Sequence, residues 1–159
     1  MAIDQHKLRQ CFGSFMTGVT VVTSMDKNNK PIGFTANSFT SVSLDPPLLL
    51  VCIDNKSDNI ETYSNGAGFV INILAEDQQD ISNRFATTMD DRFDGIDWRS
   101  SQGGNPLLGG IAAYFDCTTE QTIAAGDHQI IIGRVHDCDA NGKSGLGYHR
   151  GKYFTLNNG

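Results

Sequence analysis

The chain has 159 residues, of which 39% are hydrophobic and 19% charged, and a formal net charge of −6 at pH 7. These values predict one folded globular domain over residues 1–159 and exclude a disordered chain. The negative charge argues against nucleic acid as a partner, because a phosphate backbone requires clustered Lys and Arg side chains. The sequence holds no apolar run long enough to span a membrane, and its polar start lacks the apolar core of a signal peptide. We therefore expect a cytoplasmic protein without membrane contact.

The first part of the chain predicts a helix followed by several strands. Apolar residues recur mostly at helical spacing over residues 3–15, which indicates an amphipathic helix. The β-branched run at 19–23 predicts a strand, and the turn-forming residues 26–31 follow it. Residues 32–44 are predicted as a strand that leads into an irregular polar stretch. The unbroken apolar run at 48–53 predicts a short buried strand.

The middle of the chain predicts two helices around one strand. Residues 58–64 predict a short helix that ends at residues 65–68, NGAG. Residues 69–74 predict a strand and residues 77–87 a second helix. Residues 88–110 are polar, aromatic and rich in glycine, so we expect a loop with at most one helical turn.

The last third of the chain predicts β structure. Residues 111–122 and 129–137 form a predicted strand pair, joined through residues 124–128, AAGDH, and residues 148–156 give a last strand. The predicted strands do not alternate regularly with helices, which disfavours a doubly wound parallel sheet. We expect a mainly β protein, a closed or partly closed antiparallel barrel with a few short helices.

Standard cofactor and metal motifs are missing from the sequence. No GxGxxG follows a predicted strand, which argues against a Rossmann dinucleotide site. The end of a P-loop is suggested by residues 142–144, but Asp137 stands where its first glycine belongs. Neither the cysteines nor the histidines have metal-ligand spacing. We expect no metal site and four reduced thiols, Cys11, Cys52, Cys117 and Cys138.

One long motif and five shorter ones resemble a single known family. Residues 33–48 read GFTANSFTSVSLDPPL, and this stretch resembles the flavin reductase family, the reductase components of two-component flavin-dependent monooxygenases. Five further blocks match the family pattern in order: residues 15–23 (FMTGVTVVT), 52–57 (CIDNKS), 84–85 (RF), 126–128 (GDH) and 148–153 (YHRGKY). The resemblance covers the chain from the first predicted helix to Phe154.

The resemblance implies a fold, a set of ligands and partners. It implies an FMN-binding split β-barrel, a Greek-key antiparallel barrel that is usually a homodimer. It implies FMN or FAD bound in a groove near the dimer interface, and NADH or NADPH that docks on the flavin ring without a Rossmann domain. It also implies a flavin-dependent oxygenase as the partner that receives the reduced flavin.

The flavin phosphate needs N–H and O–H donors and one or two cations. Lys56 and Ser57 follow an apolar strand and precede the helix predicted at 58–64, whose N-terminus would favour an anion. The family pattern places Arg84 at the phosphate as the second cation. Considered as isolated residues, Lys56 and Arg84 are ordinary solvated charges, and only the resemblance favours the binding role.

The flavin ring needs donors along its N1, O2 and O4 edge and an acceptor for N3–H. Residues 35–38, TANS, combine backbone N–H groups with short side chains that let the chain approach a ring. On spacing alone, this stretch is equally typical of a strand with an exposed polar face. The resemblance gives a cofactor-binding set made up of Gly33, Thr35, Ala36, Asn37, Ser38, Thr40, Cys52, Ile53, Asp54, Lys56, Ser57, Arg84 and Phe85. Phe85 also fits the apolar stripe of its helix, as a core residue would.

The nicotinamide side of the predicted site is assigned to Gly126, Asp127 and His128. Gly126 permits a tight bend and a close approach to a ligand, and Asp127 can orient His128 and fix its tautomer. By resemblance, His128 lies near the nicotinamide, where it binds or orients NAD(P)H, and it is the candidate catalytic residue. The alternative is a buried histidine that only satisfies a turn.

Two further residues, Tyr148 and Arg150, are assigned by resemblance to NAD(P)H binding or to the dimer interface. Residues 144–147, SGLG, depart from the family pattern just before them. The extra glycines predict a looser loop.

The sequence predicts an NAD(P)H:flavin oxidoreductase that transfers a hydride to FMN or FAD. A flavin-binding carrier or electron-transfer protein on the same barrel, without nicotinamide turnover, is the alternative. A related barrel enzyme that oxidises another small substrate is a third possibility.

Overall fold

The computed structural model describes residues 1–64 and 66–156. Its helices are α1 (Gln5–Gly13), α2 (Ile60–Ser64) and α3 (Gln79–Ala86). Its strands are β1 (Thr17–Gly18), β2 (Thr20–Met25), β3 (Pro31–Ala36), β4 (Phe39–Leu44), β5 (Pro47–Asp54), β6 (Gly68–Ile73), β7 (Trp98–Ser100), β8 (Pro106–Leu108), β9 (Ala113–Ala125), β10 (His128–Ala140), β11 (Gly147–His149) and β12 (Lys152–Phe154). Asn65, at the predicted end of the second helix, and residues 157–159 of the predicted domain lie outside the described residues.

The main sheet is antiparallel and has the strand order β3-β2-β6-β9-β10-β5-β4. β3 and β4 are therefore its two edges, yet they are consecutive in the chain and are joined by Asn37 and Ser38 alone. A linker this short spans at most about 11 Å, so the sheet must curl until its edges approach each other. The result is an antiparallel barrel that stays open along a seam between β3 and β4. The prediction of a mainly β antiparallel barrel with few helices is confirmed.

The centre of the sheet is buried on both faces. Val21 of β2 and Val70 of β6 belong to one apolar cluster, together with Phe85 of α3. Their chain neighbours Val22 and Ile71 belong to a second cluster on the opposite face. Side chains alternate between the faces of a strand, so these two strands support both clusters and fix the position of α3 against the barrel.

Two predicted strands in the first part of the chain differ from the structure. Residues 32–44 form two strands, because Asn37 and Ser38 turn the chain from one edge of the sheet to the other. The run 48–53 is a strand, as expected, but its burial alternates, with only Leu49, Val51 and Ile53 fully inside. Its other face borders the open seam.

The other differences concern short hairpins. Residues 148–156 form β11 and β12 instead of one strand, since Arg150 and Gly151 both adopt positive φ values and reverse the chain. The predicted loop 88–110 contains the short antiparallel pair β7 and β8. No helix in the described part of the chain is both long and apolar enough to cross a bilayer.

Candidate functional site

A groove of about 490 Å³ runs along the open seam. Ten residues of the predicted site line it: Thr35, Ala36, Asn37, Ser38, Cys52, Asp54, Lys56, Ser57, Phe85 and His128. These residues come from the end of β3, the seam linker, β5 and the turn after it, α3, and the start of β10. Segments that are far apart in the sequence thus meet at one concave surface.

Hydrogen bonds fix Asn37 and Ser38, the two residues between β3 and β4, which we call the seam linker. The Ser38 hydroxyl donates to the carbonyl oxygen of Cys52 at 2.9 Å, and the Cys52 N–H donates to the Ser38 carbonyl at 3.1 Å. The Thr35 hydroxyl donates to the Ser82 carbonyl of α3 at 2.6 Å. Among the described residues nothing hydrogen-bonds the side chain of the exposed Asn37, which remains available to a ligand. Residues 35–38 therefore form a fixed polar edge of the groove, which we call the rim.

The tip of the β9–β10 hairpin brings His128 to the groove. Gly126 and Asp127 form its two-residue loop, and Gly126 has a φ of 65°, as the first position of this tight turn requires. The Asn55 N–H donates to the Asp127 carbonyl at 2.9 Å and ties the tip to the turn after β5. In the sheet, His128 stands opposite Asp54. The hairpin therefore positions His128 beside the polar end of the groove.

The imidazole of His128 is oriented but open to solvent. Its Nδ1 lies 2.7 Å from an Asp127 carboxylate oxygen, and 43% of the side chain is exposed. The hydrogen bond from His128 lowers the pKa of the Asp127 carboxyl, so the carboxylate stays anionic beside the ring. With Nδ1 engaged, Nε2 is left for a ligand. A buried histidine that only satisfies a turn does not describe this arrangement.

The helix predicted at 58–64 is present but begins two residues later than predicted, so Lys56 and Ser57 lie in a turn that precedes it. The Lys56 N–H donates to the Asp54 carboxylate at 2.8 Å and the Ser57 N–H to the Asp54 carbonyl at 2.9 Å, which makes a local turn. α2 begins only at Ile60. The N–H groups of Lys56 and Ser57 are therefore already used by Asp54, and the contribution of the following helix N-terminus to anion binding stays a prediction. The Lys56 ammonium and the Ser57 hydroxyl remain as donors.

The second predicted cation, Arg84, is outside the groove. Its Nε donates to the Arg92 carbonyl at 2.6 Å, and its Nη2 donates to the Asp94 carbonyl at 2.6 Å. The guanidinium holds the segment after α3 and does not line the groove. Arg92, on that segment, lines the groove instead. Sequence reasoning missed it, although its position in the aromatic, charged stretch 88–110 was the available signal.

The remaining predicted flavin-binding residues are buried in the barrel or exposed on its outer surface. Gly33 and Ile53 are buried in the strands and do not line the groove. Thr40 lies on the exposed face of β4. Phe85 does border the groove, but it is 1% exposed and belongs to the core cluster, as the alternative interpretation allowed.

Cys52 borders the groove, but its surroundings do not favour redox chemistry at its thiol. Burial raises the pKa of the Cys52 thiol, which disfavours the reactive thiolate. All four cysteines are free. In residues 1–64 and 66–156, no three His, Cys, Asp or Glu side chains cluster as metal ligands would.

Tyr148 and Arg150 lie in a different region of the fold from the groove. Tyr148 packs against Tyr153 of β12 with ring centroids 5.3 Å apart. Arg150 donates from Nη2 to the Ser14 hydroxyl at 3.2 Å, next to the end of α1. Neither residue lines the groove in its own chain. We call this region, formed by α1, β1, β11 and β12, the corner.

A curled antiparallel barrel, open at one seam where small and polar residues line a groove, has the architecture of the split-barrel flavin-binding domains. The solved structure of the flavin reductase PheA2 superposes on this chain with a TM-score of 0.88 at 33% identity, over 98% of this chain and 99% of that one. Residues 12–157 match the flavin reductase like domain family. The chain belongs to this family.

Named relatives are similar over most of this chain. It is 56% identical over 149 residues, 94% of its length, to the reductase component of a flavin-dependent trigonelline monooxygenase of Acinetobacter baylyi (strain ATCC 33305 / BD413 / ADP1). It is 34% identical to an NADH:FAD oxidoreductase of Streptomyces globisporus solved with NAD and FAD fragments, with a TM-score of 0.92 over 98% of this chain and 94% of that one. The chain spans about half the length of the first curated relatives it matches, 49% and 48%.

Proposed function

We propose that this chain is an NAD(P)H:flavin oxidoreductase that reduces FMN or FAD and supplies the reduced flavin to a partner monooxygenase. The observation that carries the proposal is the seam groove, where an ordered polar rim, a cation and an oriented, half-exposed histidine meet on one concave surface. Membership of the family supports the same activity. The proposal includes one catalytic domain over residues 1–159 and a cytoplasmic location, with which four free thiols are consistent.

The residues of the groove fit a flavin. Its volume of about 490 Å³ falls within the usual range of small-molecule sites. Ala36, Asn37 and Ser38 are small or short, so a flat ring can approach the backbone. Lys56 and Ser57 offer an ammonium and a hydroxyl for a phosphate, a charge-assisted contact. The groove therefore provides the polar edge and the anion site that the ring and its phosphate need.

A bound flavin would supply a ring that accepts a hydride from a dihydronicotinamide stacked on it. The chain contributes position and electrostatics. Donors fixed along the seam linker stabilise negative charge on the polar edge of the ring, because they need no reorganisation. Asp127 holds the His128 imidazole, and His128 in turn orients the nicotinamide over the open face. Close, aligned stacking is the main requirement of hydride transfer.

A homodimer is part of the proposal. α1 has no buried residue in the single chain, and Phe12 on it and Phe15 just after it are 69% and 77% exposed. Exposed aromatic side chains of this size are typical of interaction surfaces. A second copy is the occupant that the family resemblance favours. In that dimer, Tyr148 and Arg150 lie at the interface or reach the NAD(P)H site of the other copy.

The activity is tested with the purified protein, NADH or NADPH, and FMN or FAD. We expect the absorbance of the reduced nicotinamide to fall only when flavin is present. Light scattering of the same sample tests the dimer. A protein that binds flavin but oxidises neither nicotinamide would be the carrier of the alternative hypothesis, and the proposed activity would be wrong.

A further inference from the structure

Ser82 of α3 makes hydrogen bonds on two sides at once. Its backbone carbonyl accepts the Thr35 hydroxyl of the rim at 2.6 Å, and its own hydroxyl lies 2.7 Å from the hydroxyl of Tyr153 on β12. Ser82 is fully buried, and neither Ser82 nor Tyr153 lines the groove. One buried residue thus connects the rim with a part of the fold outside the groove.

The direction of this hydrogen-bond chain follows from its two ends. The Tyr153 hydroxyl donates to the side-chain oxygen of Asn83 at 3.0 Å, and a hydroxyl has only one proton. The Ser82 hydroxyl must therefore donate to the Tyr153 oxygen. At the other end a carbonyl can only accept, so the Thr35 proton points at Ser82. The Thr35 oxygen keeps its lone pairs but has no proton left for a ligand.

Thr35 therefore faces the groove as an acceptor. It is half-buried and lines the groove, and no donor in residues 1–64 and 66–156 reaches its hydroxyl oxygen. A flavin ring carries one N–H donor, N3–H, on its polar edge, between the acceptors O2 and O4. A hydroxyl that can rotate would serve either kind of group, whereas one whose proton is committed serves only the donor.

Ser82 depends on Tyr153 because a serine inside a helix has a competing acceptor. Its hydroxyl can turn to the carbonyl four residues earlier, a contact that bends helices. In α3 that carbonyl belongs to Gln78, which already accepts the Ser82 N–H at 3.1 Å. Tyr153 holds the hydroxyl away from it. Without the phenol the buried hydroxyl would lack a partner, which is unfavourable, and it would turn to Gln78 and shift the carbonyl that holds Thr35.

We propose that Ser82 and Tyr153 are positioning residues of the flavin site, which fix the Thr35 oxygen as the acceptor for N3–H of the ring. The inference rests on the proposed flavin reductase function, because it concerns the same groove. It adds two residues that act through Thr35. Phe154, the next residue of β12, points to the opposite face of the strand and takes no part.

The test compares the binding of two flavins by fluorescence quenching, FMN and FMN methylated at N3. Methylation removes the N–H that Thr35 accepts. We expect wild type to bind FMN about tenfold more tightly than the methylated flavin, the effect of one hydrogen bond. In Tyr153→Phe this preference should fall to about twofold, because the shifted Thr35 no longer meets N3–H. Binding is measured without NADH, so the result does not depend on turnover.

A second substitution should restore the preference. In Ser82→Ala/Tyr153→Phe no buried hydroxyl is left to turn onto the helix, so the preference should return to that of wild type. Asn83→Ala is a variant at an exposed position, which keeps the test available if Tyr153→Phe does not fold. It frees the phenol proton to point at Ser82 and should lower the preference, whereas Asn83→Asp keeps the acceptor and the preference. Thermal melts establish which variants fold.

Two controls separate positioning from loss of stability. In Gly147→Ala the new Cβ meets the Phe154 ring, which destabilises the same hairpin without touching the hydroxyl chain. Tyr114→Phe removes a phenol that donates to Asp137 at 2.8 Å outside the groove. Both should keep the wild-type preference for FMN.

The outcomes distinguish this inference from the proposed function. An unchanged preference in folded Tyr153→Phe or in Asn83→Ala, or equal binding of the two flavins by wild type, would overturn the inference. If wild type binds no FMN, the inference and the proposed function both fail. If wild type binds FMN with the expected preference but oxidises no nicotinamide, only the proposed function fails.

Discussion

Motifs of the same family pattern contribute residues to both the seam groove and the corner, but the side chains of the two regions differ in their contacts. At the groove, residues from β3, β5 and β10 converge on one surface and several keep polar groups free. At the corner, Tyr148 and Arg150 are occupied by contacts with Tyr153 and Ser14. Resemblance to a motif therefore identifies residues that belong to the architecture of a family, and only their free polar groups indicate which of them meet a ligand.

The two regions are linked through α3. The Ser82 carbonyl accepts the Thr35 hydroxyl at the groove, and the Ser82 hydroxyl lies 2.7 Å from the Tyr153 hydroxyl at the corner. Ser82 is fully buried between them. The groove and the corner thus lie apart within one chain but are both held by Ser82 of α3.

The largest effect is expected at the groove from His128→Ala. Loss of the oriented imidazole misplaces the nicotinamide, so kcat/KM for NADH should fall about 100-fold, the cost of a small misplacement of a reactant. Flavin affinity, measured by fluorescence quenching, should change little. His136→Ala is the matched control, because His136 lies on the same strand and is exposed, with its Nε2 2.9 Å from the Thr118 hydroxyl. Equal losses of turnover and flavin affinity would contradict the role of His128.

A steric change at the corner should affect stability and not flavin binding. In Gly147→Ala the new Cβ would collide with the Phe154 ring, whereas in Gly145→Ala the nearest atom is the Leu74 carbonyl oxygen at 3.8 Å. We expect Gly147→Ala to lower the free energy of unfolding by about 2 kcal/mol, and Gly145→Ala to cost far less, in urea unfolding curves. A large loss of flavin affinity in folded Gly147→Ala would show that the corner is not independent of the groove.

The phosphate contact gives a smaller effect at the groove. Lys56→Ala removes an ammonium that forms a charge-assisted contact, so FMN should bind about tenfold more weakly. Riboflavin, which lacks the phosphate, should bind the variant and the wild type equally. Lys152→Ala, at an exposed position of β12, is the control. Parallel losses for FMN and riboflavin would place Lys56 at the ring and not at the phosphate.

The smallest effect is expected from Arg150→Gln. In its own chain the Arg150 guanidinium contacts Ser14 and not the groove. If Arg150 serves the dimer interface and not the NAD(P)H site, flavin affinity and the KM for NADH should stay within about twofold of wild type, as for most surface substitutions. A tenfold loss of flavin affinity or a tenfold higher KM for NADH, dependent on protein concentration, would contradict this expectation. It would show that the corner of a second copy completes the groove.

Much of the fold was predictable because local patterns carry it. The β-branched run at 19–23 and the AAGDH turn at 124–128 fix a strand and a hairpin by backbone preference alone. The division of residues 32–44 into β3 and β4 was not predictable. Both halves mix apolar residues with small or hydroxyl-bearing ones, and the break at Asn37 and Ser38 exists because the sheet curls and its edges must be joined.

The candidate site was predictable to the extent that its residues are adjacent in sequence. The rim at 35–38, Lys56 and His128 were identified from motifs, and all line the groove. The roles of Arg84, on the predicted helix 77–87, and Arg92, on the predicted loop 88–110, could not be separated, because nothing in their local sequence indicates which guanidinium faces the groove. Only the structure shows that the Arg84 guanidinium donates to backbone carbonyls.

By itself, the sequence determined the family, the antiparallel β class and the short polar segments that form the groove. These depend on residue type and spacing along the chain, which are local properties. The tertiary structure decided which donors remain free and which cation faces the groove. Those outcomes depend on hydrogen bonds and packing between segments distant in sequence, as between the Arg92 guanidinium and the Gly33 carbonyl, and no local pattern encodes them.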